Sequence, residues 1–362
     1  MIVLGSTGSI GCAALDVAAR FNLPIETLVA GFNVDRLNEQ IRRFKPRQVV
    51  LADRAVAQKV DFPNAQYGKA AILDAIASSQ SDLVVNALSG FAGLRPTLKA
   101  LQCGKRLALA NKESLACVGA FLDTTRISPI DSEHFGVWYL NAAGDSRRLV
   151  KRIVLTASGG ALRDCPIEEI ERAPIERVLR HPNWSMGAKI TIDSATMVNK
   201  LFELLEARWL FGANAIDAVI ERSSIFHALI EFADGCVTAQ AAPTDMRLAI
   251  TYAILGELRE PIAGEIDLIS LPPIRFEPID LKRYPAWAIK ETLLNEPRLG
   301  AVLNAANEAA IARYRSGEIS FGRISRMILE AFERFSSPPK TIDEAIALHE
   351  EVYARFFASR SR

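Results

Sequence analysis

Gly5-Ser6-Thr7-Gly8-Ser9-Ile10-Gly11 follows the apolar run Ile2-Val3-Leu4 and opens a helix-period stretch over residues 8–20. The pattern is GxxGxxG between a strand and a helix. Glycines there let the backbone turn tightly and approach a pyrophosphate, whose charge rests on the helix N-terminus. By itself the motif reads equally as a plain strand-to-helix turn; its place at the first strand of an alternating series favours a dinucleotide. Working outward, predicted strands at 2–4, 25–30, 48–52, 83–86 and 106–110 alternate with helical patterns at 8–20, 34–44 and 93–104. Such alternation marks parallel strands joined by crossover helices.

The expected fold is therefore α/β, with a Rossmann-like NADP-binding domain over 1–130, an α+β catalytic domain over 131–255, a Pro- and Gly-rich linker over 256–287 and a helical C-terminal domain over 288–362. The catalytic region shows a long helix-period run at 194–211 and strand-like pieces at 218–220, 225–232 and 237–241; the tail shows amphipathic stretches at 304–314 and 321–335. Over 362 residues, 43 Lys and Arg balance 42 Asp and Glu, and 49% of the chain is hydrophobic, which excludes wholesale disorder and offers no basic field for nucleic acid. The five cysteines form no CxxC, no run of about 18 apolar residues spans a bilayer, and Met1 leads directly into the first strand. A cytoplasmic protein without membrane or nucleic-acid partners is expected.

An NAD site would carry Asp or Glu at the end of the second strand. Here Gly31-Phe32-Asn33 stands there, so a 2′-phosphate meets backbone amides, Asn33 and Arg36 instead, and NADPH is favoured; Arg36 reads equally as a solvated helix residue. Asn111-Lys112-Glu113 falls at the C-terminal end of the 106–110 strand, the edge where open α/β sheets bind ligands. The expected cofactor contacts are Gly5, Ser6, Thr7, Gly8, Ser9, Ile10, Gly11, Gly31, Asn33, Asn111 and Glu113.

Asp131-Ser132-Glu133 places two carboxylates at i and i+2, which in extended chain share a side and suit a hard cation; a helix cap with a solvated Glu is the alternative. In Asp193-Ser194-Ala195-Thr196-Met197-Val198-Asn199-Lys200-Leu201-Phe202-Glu203, Asp193 or Ser194 can cap a helix that brings Asn199, Lys200 and Glu203 to one face, unless Lys200 and Glu203 form only an internal ion pair. Thr156-Ala157-Ser158-Gly159-Gly160 offers a hydroxyl and backbone amides suited to phosphate. His181-Pro182-Asn183-Trp184-Ser185-Met186-Gly187 has the composition of a lid over a ligand, or of a packed surface loop. His134 and His227 are read as core histidines.

Taken together the motifs resemble the 1-deoxy-D-xylulose 5-phosphate reductoisomerase family along nearly the whole chain: GSTGSIG at 5–11, LANKES at 109–114, DSEH at 131–134, SGG at 158–160, HPNWSMG at 181–187, DSATMVNK at 193–200, EARWLF at 206–211 and LNAANE at 303–308. The resemblance implies NADPH- and divalent-metal-dependent rearrangement and reduction of 1-deoxy-D-xylulose 5-phosphate to 2-C-methyl-D-erythritol 4-phosphate in isoprenoid biosynthesis. It implies Asp131, Glu133 and Glu203 as ligands of Mg²⁺ or Mn²⁺, with Co²⁺ a further candidate. Ser158, Ser194, Asn199 and Lys200 would hold the phosphate of a small sugar substrate. Lys112, Ser132 and His181 would meet its carbon chain, Trp184 and Met186 would form the lid, and the enzyme would be a homodimer. Retro-aldol and aldol steps pass through an enediolate, whose charge a cation and Lys112 would offset. The chain departs from the family pattern at Glu221-Arg222-Ser223-Ser224, where HPQS is frequent, and at Phe32, a frequent Lys. Two rival readings are a metal-free NADP-linked dehydrogenase of the homoserine or semialdehyde type and a non-catalytic NADP-binding sensor.

Overall fold

The computed structural model describes residues 1–143, 149–258 and 260–358. Residues 144–148 of the expected catalytic region, Arg259 of the expected linker and 359–362 of the expected helical region lie outside the described residues. The strands are β1 (Ile2–Leu4), β2 (Thr27–Ala30), β3 (Gln48–Leu51), β4 (Gln66–Tyr67), β5 (Leu83–Asn86), β6 (Arg106–Leu109), β7 (Ile127–Pro129), β8 (Val150–Ala157), β9 (Ile216–Glu221), β10 (Phe226–Phe232), β11 (Val237–Ala241) and β12 (Phe276–Glu277). The helices are α1 (Ser9–Arg20), α2 (Val34–Phe44), α3 (Gly68–Ser78), α4 (Leu94–Gln102), α5 (Lys112–Val118), α6 (Ser132–Ala143), α7 (Ile167–Ile170), α8 (Ile175–Val178), α9 (Ala188–Thr196), α10 (Val198–Phe211), α11 (Arg247–Leu255), α12 (Lys290–Asn295), α13 (Gly300–Arg315), α14 (Phe321–Arg334) and α15 (Ile342–Ala358).

The first compact unit comprises Met1–Asn111, Thr125–Phe135 and Asp245–Gly264. Its sheet runs β4-β3-β2-β1-β5-β6-β7, every pair parallel. Strands covered on both faces need unbroken apolar sequence, and Ile2-Val3-Leu4 and Leu83-Val84-Val85 supply it, all buried. The strand order reverses direction beside β1, between β2 and β5, and the glycine loop leaves β1 at this switch point. Ile250, Ala253 and Ile254 of α11 lie in the same core as Ala14, Leu15 and Ala18 of α1. The expected boundary at residue 255 therefore gives way: the apolar face of α11 needs the first unit's core.

The second unit comprises Lys112–Thr124, Gly136–Thr244 and Glu265–Arg362. Its sheet runs β11-β10-β8-β9-β12, with β8 and β9 parallel and the other pairs antiparallel. The C-terminal helices pack on this sheet, with Val302, Ile324 and Val352 sharing one core with Leu155 of β8 and Phe202 of α10. In α13, Ala301, Ala305, Ala306, Ala309 and Ala310 are all buried, leaving a helix that must be covered on several sides. The predicted continuous helix at 194–211 is broken instead at Met197, which takes a left-handed conformation (φ +68°) and separates α9 from α10.

Candidate active site

In the first unit the seven residues of the glycine motif divide into two groups. Gly5 and Ser6 give their amides to Val29 O at 2.8 and 2.9 Å, and a Cβ on Gly11 would stand 2.2 Å from Gly5 O, so these residues build the turn. Ser6 is fully buried, and its carbonyl accepts from Gln40 Nε2 at 2.8 Å. Gly8 caps α1 without any side-chain acceptor and the first turn holds no acid, which leaves the helix N-terminus suited to an anion. Gly8 and Ser9 are exposed there, and Gly5, Thr7 and Ile10 are half-buried. After β2, nothing lies within 4 Å of a Cβ placed on Gly31. Asn33 Oδ1 caps α2 by accepting from Arg36 N at 3.2 Å, and the Arg36 guanidinium donates to Thr7 O at 3.2 Å, joining the turns that follow β1 and β2. Asn111 is buried, with Nδ2 donating to Leu88 O and Gly90 O at 2.9 and 2.8 Å. Its side chain ties together the loops after β5 and β6.

The Asp131 motif is not extended. Asp131 Oδ1 accepts from Glu133 N at 3.0 Å and His134 N at 3.1 Å, the geometry of a cap on α6, and also meets His134 Nδ1 at 2.9 Å. The Ser132 hydroxyl donates to the Glu133 carboxylate. Asp131 is buried and Glu133 half-buried, so the cap does not leave a fully solvated Glu.

In the second unit Glu203 is 1% exposed. Its Oε1 accepts from Lys112 Nζ at 2.5 Å and Asn199 Nδ2 at 2.6 Å, while Oε2 accepts from Lys200 Nζ. Two ammonium groups thus donate to one buried carboxylate. The one-face arrangement of Asn199, Lys200 and Glu203 follows from their positions on α10. Neither Asp193 nor Ser194 caps that helix, because both lie in the last turns of α9.

Gly160, with φ +69°, rests directly on the end of α9: a Cβ there would stand 2.8 Å from Ser194 C and Ala195 Cα. This close approach brings the Ser158 loop and Ser194 together. Ser158 Oγ lies 2.9 Å from His181 Nε2 and accepts from Gly160 N at 3.1 Å. His181 Nδ1 accepts from Asn183 N and Trp184 N at 3.2 and 3.0 Å, which assigns the ring proton to Nε2. Burial and the nearby Arg163 guanidinium lower the imidazole to about 4. Trp184 is half-buried with its ring edge toward His227, a buried histidine 3.1 Å from Ala242 O. Met186 is also half-buried. Glu221 organises the departing tetrapeptide by accepting from Ser223 N, Ile225 N and Phe226 N at 2.8, 3.0 and 3.2 Å. The resulting turn receives Asn183 Nδ2 on Arg222 O and Ser224 Oγ, at 2.8 and 2.7 Å. Glu113, expected at the cofactor, pairs with Lys189 at 2.7 Å. Sequence reasoning missed Lys189, although its spacing of four residues from Asp193 is that of a helical ion pair. It also missed Arg163, which donates to Ser158 O at 2.9 Å.

Family models described as 1-deoxy-D-xylulose 5-phosphate reductoisomerase, its C-terminal domain, and DXP reductoisomerase C-terminal domain match residues 1–119, 127–211 and 241–355. The chain belongs to this reductoisomerase family. A 1-deoxy-D-xylulose 5-phosphate reductoisomerase of Nautilia profundicola is 53% identical over 97% of this chain and 98% of its own length. One of Wolinella succinogenes is 52% identical over 97% and 98%. A crystal structure of DOX-P reductoisomerase in complex with NADPH, fosmidomycin and magnesium superposes with a TM-score of 0.90 at 29% identity, covering 99% of this chain and 97% of that one. As a reductoisomerase the chain is an NADP-dependent oxidoreductase, which bears out the resemblance read from the motifs and sets aside the dehydrogenase and sensor readings.

Proposed function

We propose that the chain converts 1-deoxy-D-xylulose 5-phosphate to 2-C-methyl-D-erythritol 4-phosphate with NADPH and Mg²⁺ or Mn²⁺, and that Asp131, Glu133 and Glu203 hold the metal. The observation that carries this reading is the buried Glu203 carboxylate shared by Lys112, Lys200 and Asn199. Three carboxylates without thiolate or imidazole are the donor chemistry of a hard divalent ion. Thr7, Gly8 and Ser9, with Gly31 and Asn33, hold the cofactor phosphates. When bound, the metal supplies Lewis-acid stabilisation of oxygen charge and NADPH supplies the hydride.

The remaining work falls to the chain's own groups. Ser158 receives hydrogen bonds from His181 Nε2 and Gly160 N, so its own proton is directed to a third acceptor, for which a substrate phosphate oxygen fits. Ser194 and Asn199 add donors to the same phosphate. Lys112 and Lys200 must yield a Glu203 oxygen to a cation, and an ammonium so released meets the phosphate or the charge that develops on the substrate's oxygens. Trp184 and Met186, carried on the loop that His181 anchors, exclude water.

NADPH oxidation on addition of 1-deoxy-D-xylulose 5-phosphate tests the reading. Activity should vanish in EDTA, return with Mg²⁺ or Mn²⁺, and fall with NADH. Undiminished turnover in EDTA, or none under any condition, would sink it.

A homodimer is supported by β11, an edge strand on which Val237 is 57% exposed and β10 is the sole sheet neighbour among the described residues. Val237→Lys should shift sedimentation toward monomer; a monomeric parent protein would contradict the dimer. The five free thiols fit a reducing, cytoplasmic setting; thiol titration of protein taken directly from cells should find all five reduced.

A further inference from the structure

Lys189 enters none of the steps above, yet its side chain is only 14% exposed. Its Nζ lies 2.7 Å from Glu113 Oε1 and 2.8 Å from Asp193 Oδ2, and 5.1 Å from the centroid of the Phe202 ring. Asp193 Oδ1 accepts in turn from Asn307 Nδ2 of α13 at 2.7 Å. Burial alone would lower the ammonium, but Asp193 and Glu113 outweigh it and hold Lys189 above the ordinary lysine range.

Both carboxylates are one residue away from a group assigned to the substrate. Glu113 follows Lys112 in the first turn of α5, and Asp193 precedes Ser194 in the last turns of α9. Adjacent residues in a helical turn move together, so a tether on each carboxylate fixes its neighbour. We propose that Lys189 is a positioning residue: by bridging Glu113 and Asp193 it sets Lys112 and Ser194 at the separation that the two ends of the phosphorylated substrate require. The inference rests on the substrate roles proposed above for Lys112 and Ser194. Stability alone is a poor account of the bridge, because buried ion pairs gain little over apolar packing of the same shape. What an ammonium adds is direction, with two bonds at fixed angles joining two helices.

The test is Lys189→Met/Asp193→Asn, which removes one positive and one negative charge and so leaves the local sum unchanged. The folded double variant should lose about tenfold in affinity for inorganic phosphate and gain about tenfold in KM for the substrate, while NADPH affinity stays within about twofold. Lys189→Arg, which can keep both bonds, should bring KM back to within about threefold of the parent. Parental phosphate affinity in the folded double variant, or an equal loss of NADPH affinity, would overturn the proposal. Should that variant not fold, Asp193→Asn alone severs the Ser194 arm and must show the same selective loss of phosphate affinity; a parental value there overturns the tether too. Failure of the parent protein to turn over 1-deoxy-D-xylulose 5-phosphate would instead strike the functional reading.

Discussion

As the metal ligand proposed above, Glu203 combines two demands that oppose each other: a buried carboxylate must stay ionised to hold a cation, and burial penalises that charge. Lys112, Lys200 and Asn199 resolve the conflict by surrounding it with donors. Glu203→Gln keeps the shape and removes the charge, so kcat/KM should fall by about a thousandfold or more while NADPH binding, followed by fluorescence titration, remains at the parental level. Activity near the parental level at limiting Mg²⁺ would remove Glu203 from the ligand set. His181 poses a different balance. Its folded value of about 4 lies below the ordinary 6.5, so between those limits the unfolded chain takes up a proton that the folded chain refuses. Its contribution to stability is present above pH 6.5 and is lost as pH falls toward 4. His181→Asn should flatten the pH dependence of the urea midpoint across that window; an unchanged slope would show that the imidazole titrates normally in the fold.

Several elements stand where the sequence puts them, and the exceptions have physical causes. β1, β5 and α2 occupy the predicted residues to the letter, because a buried parallel strand and a capped amphipathic helix each carry a local signal. β8 escaped because Val150-Lys151-Arg152 reads as polar at its entrance, although its later residues are buried at the centre of the second sheet. The break at Met197 left no trace, since the apolar pattern continues across it and methionine is not a residue that marks left-handed backbone. Helical periodicity in the tail showed which faces are buried but not against what, and so the core that the tail shares with β8 and α10 was not legible. At the candidate site, the motifs offered the acids, hydroxyls and loop as expectations; the bond from Lys189 to Glu113 joins residues distant in sequence, and no local pattern encodes it. Lys45 provides an element-level test, ending α2 in left-handed conformation (φ +46°) with an exposed side chain. Lys45→Gly should relieve about 1 kcal/mol of backbone cost against a smaller entropy loss, a net gain of about 0.5 kcal/mol in urea unfolding. A lowered midpoint would show that the end of α2 carries no such strain.

Across the whole molecule the chain passes from one compact unit to the other at residue 112, again at 125, at 136, at 245 and at 265. Neither unit is a continuous stretch that truncation could isolate. The consequence reaches to synthesis. The first 111 residues contain nearly all of the parallel sheet, yet Ile250, Ala253 and Ile254 belong to its core. A nascent chain that has just completed β7 must wait for more than a hundred further residues before α11 emerges, on the order of ten seconds at bacterial elongation rates. Through that interval the face of α1 that α11 covers stays open to water or to a chaperone. A chain ended at residue 244 should therefore bind a hydrophobic dye and be captured by a holdase, and adding a peptide of residues 245–264 should suppress both. Clean folding of the shortened chain without the peptide would mean that the early sheet closes its own core, and that the ribosome never presents the cell with an unfinished surface.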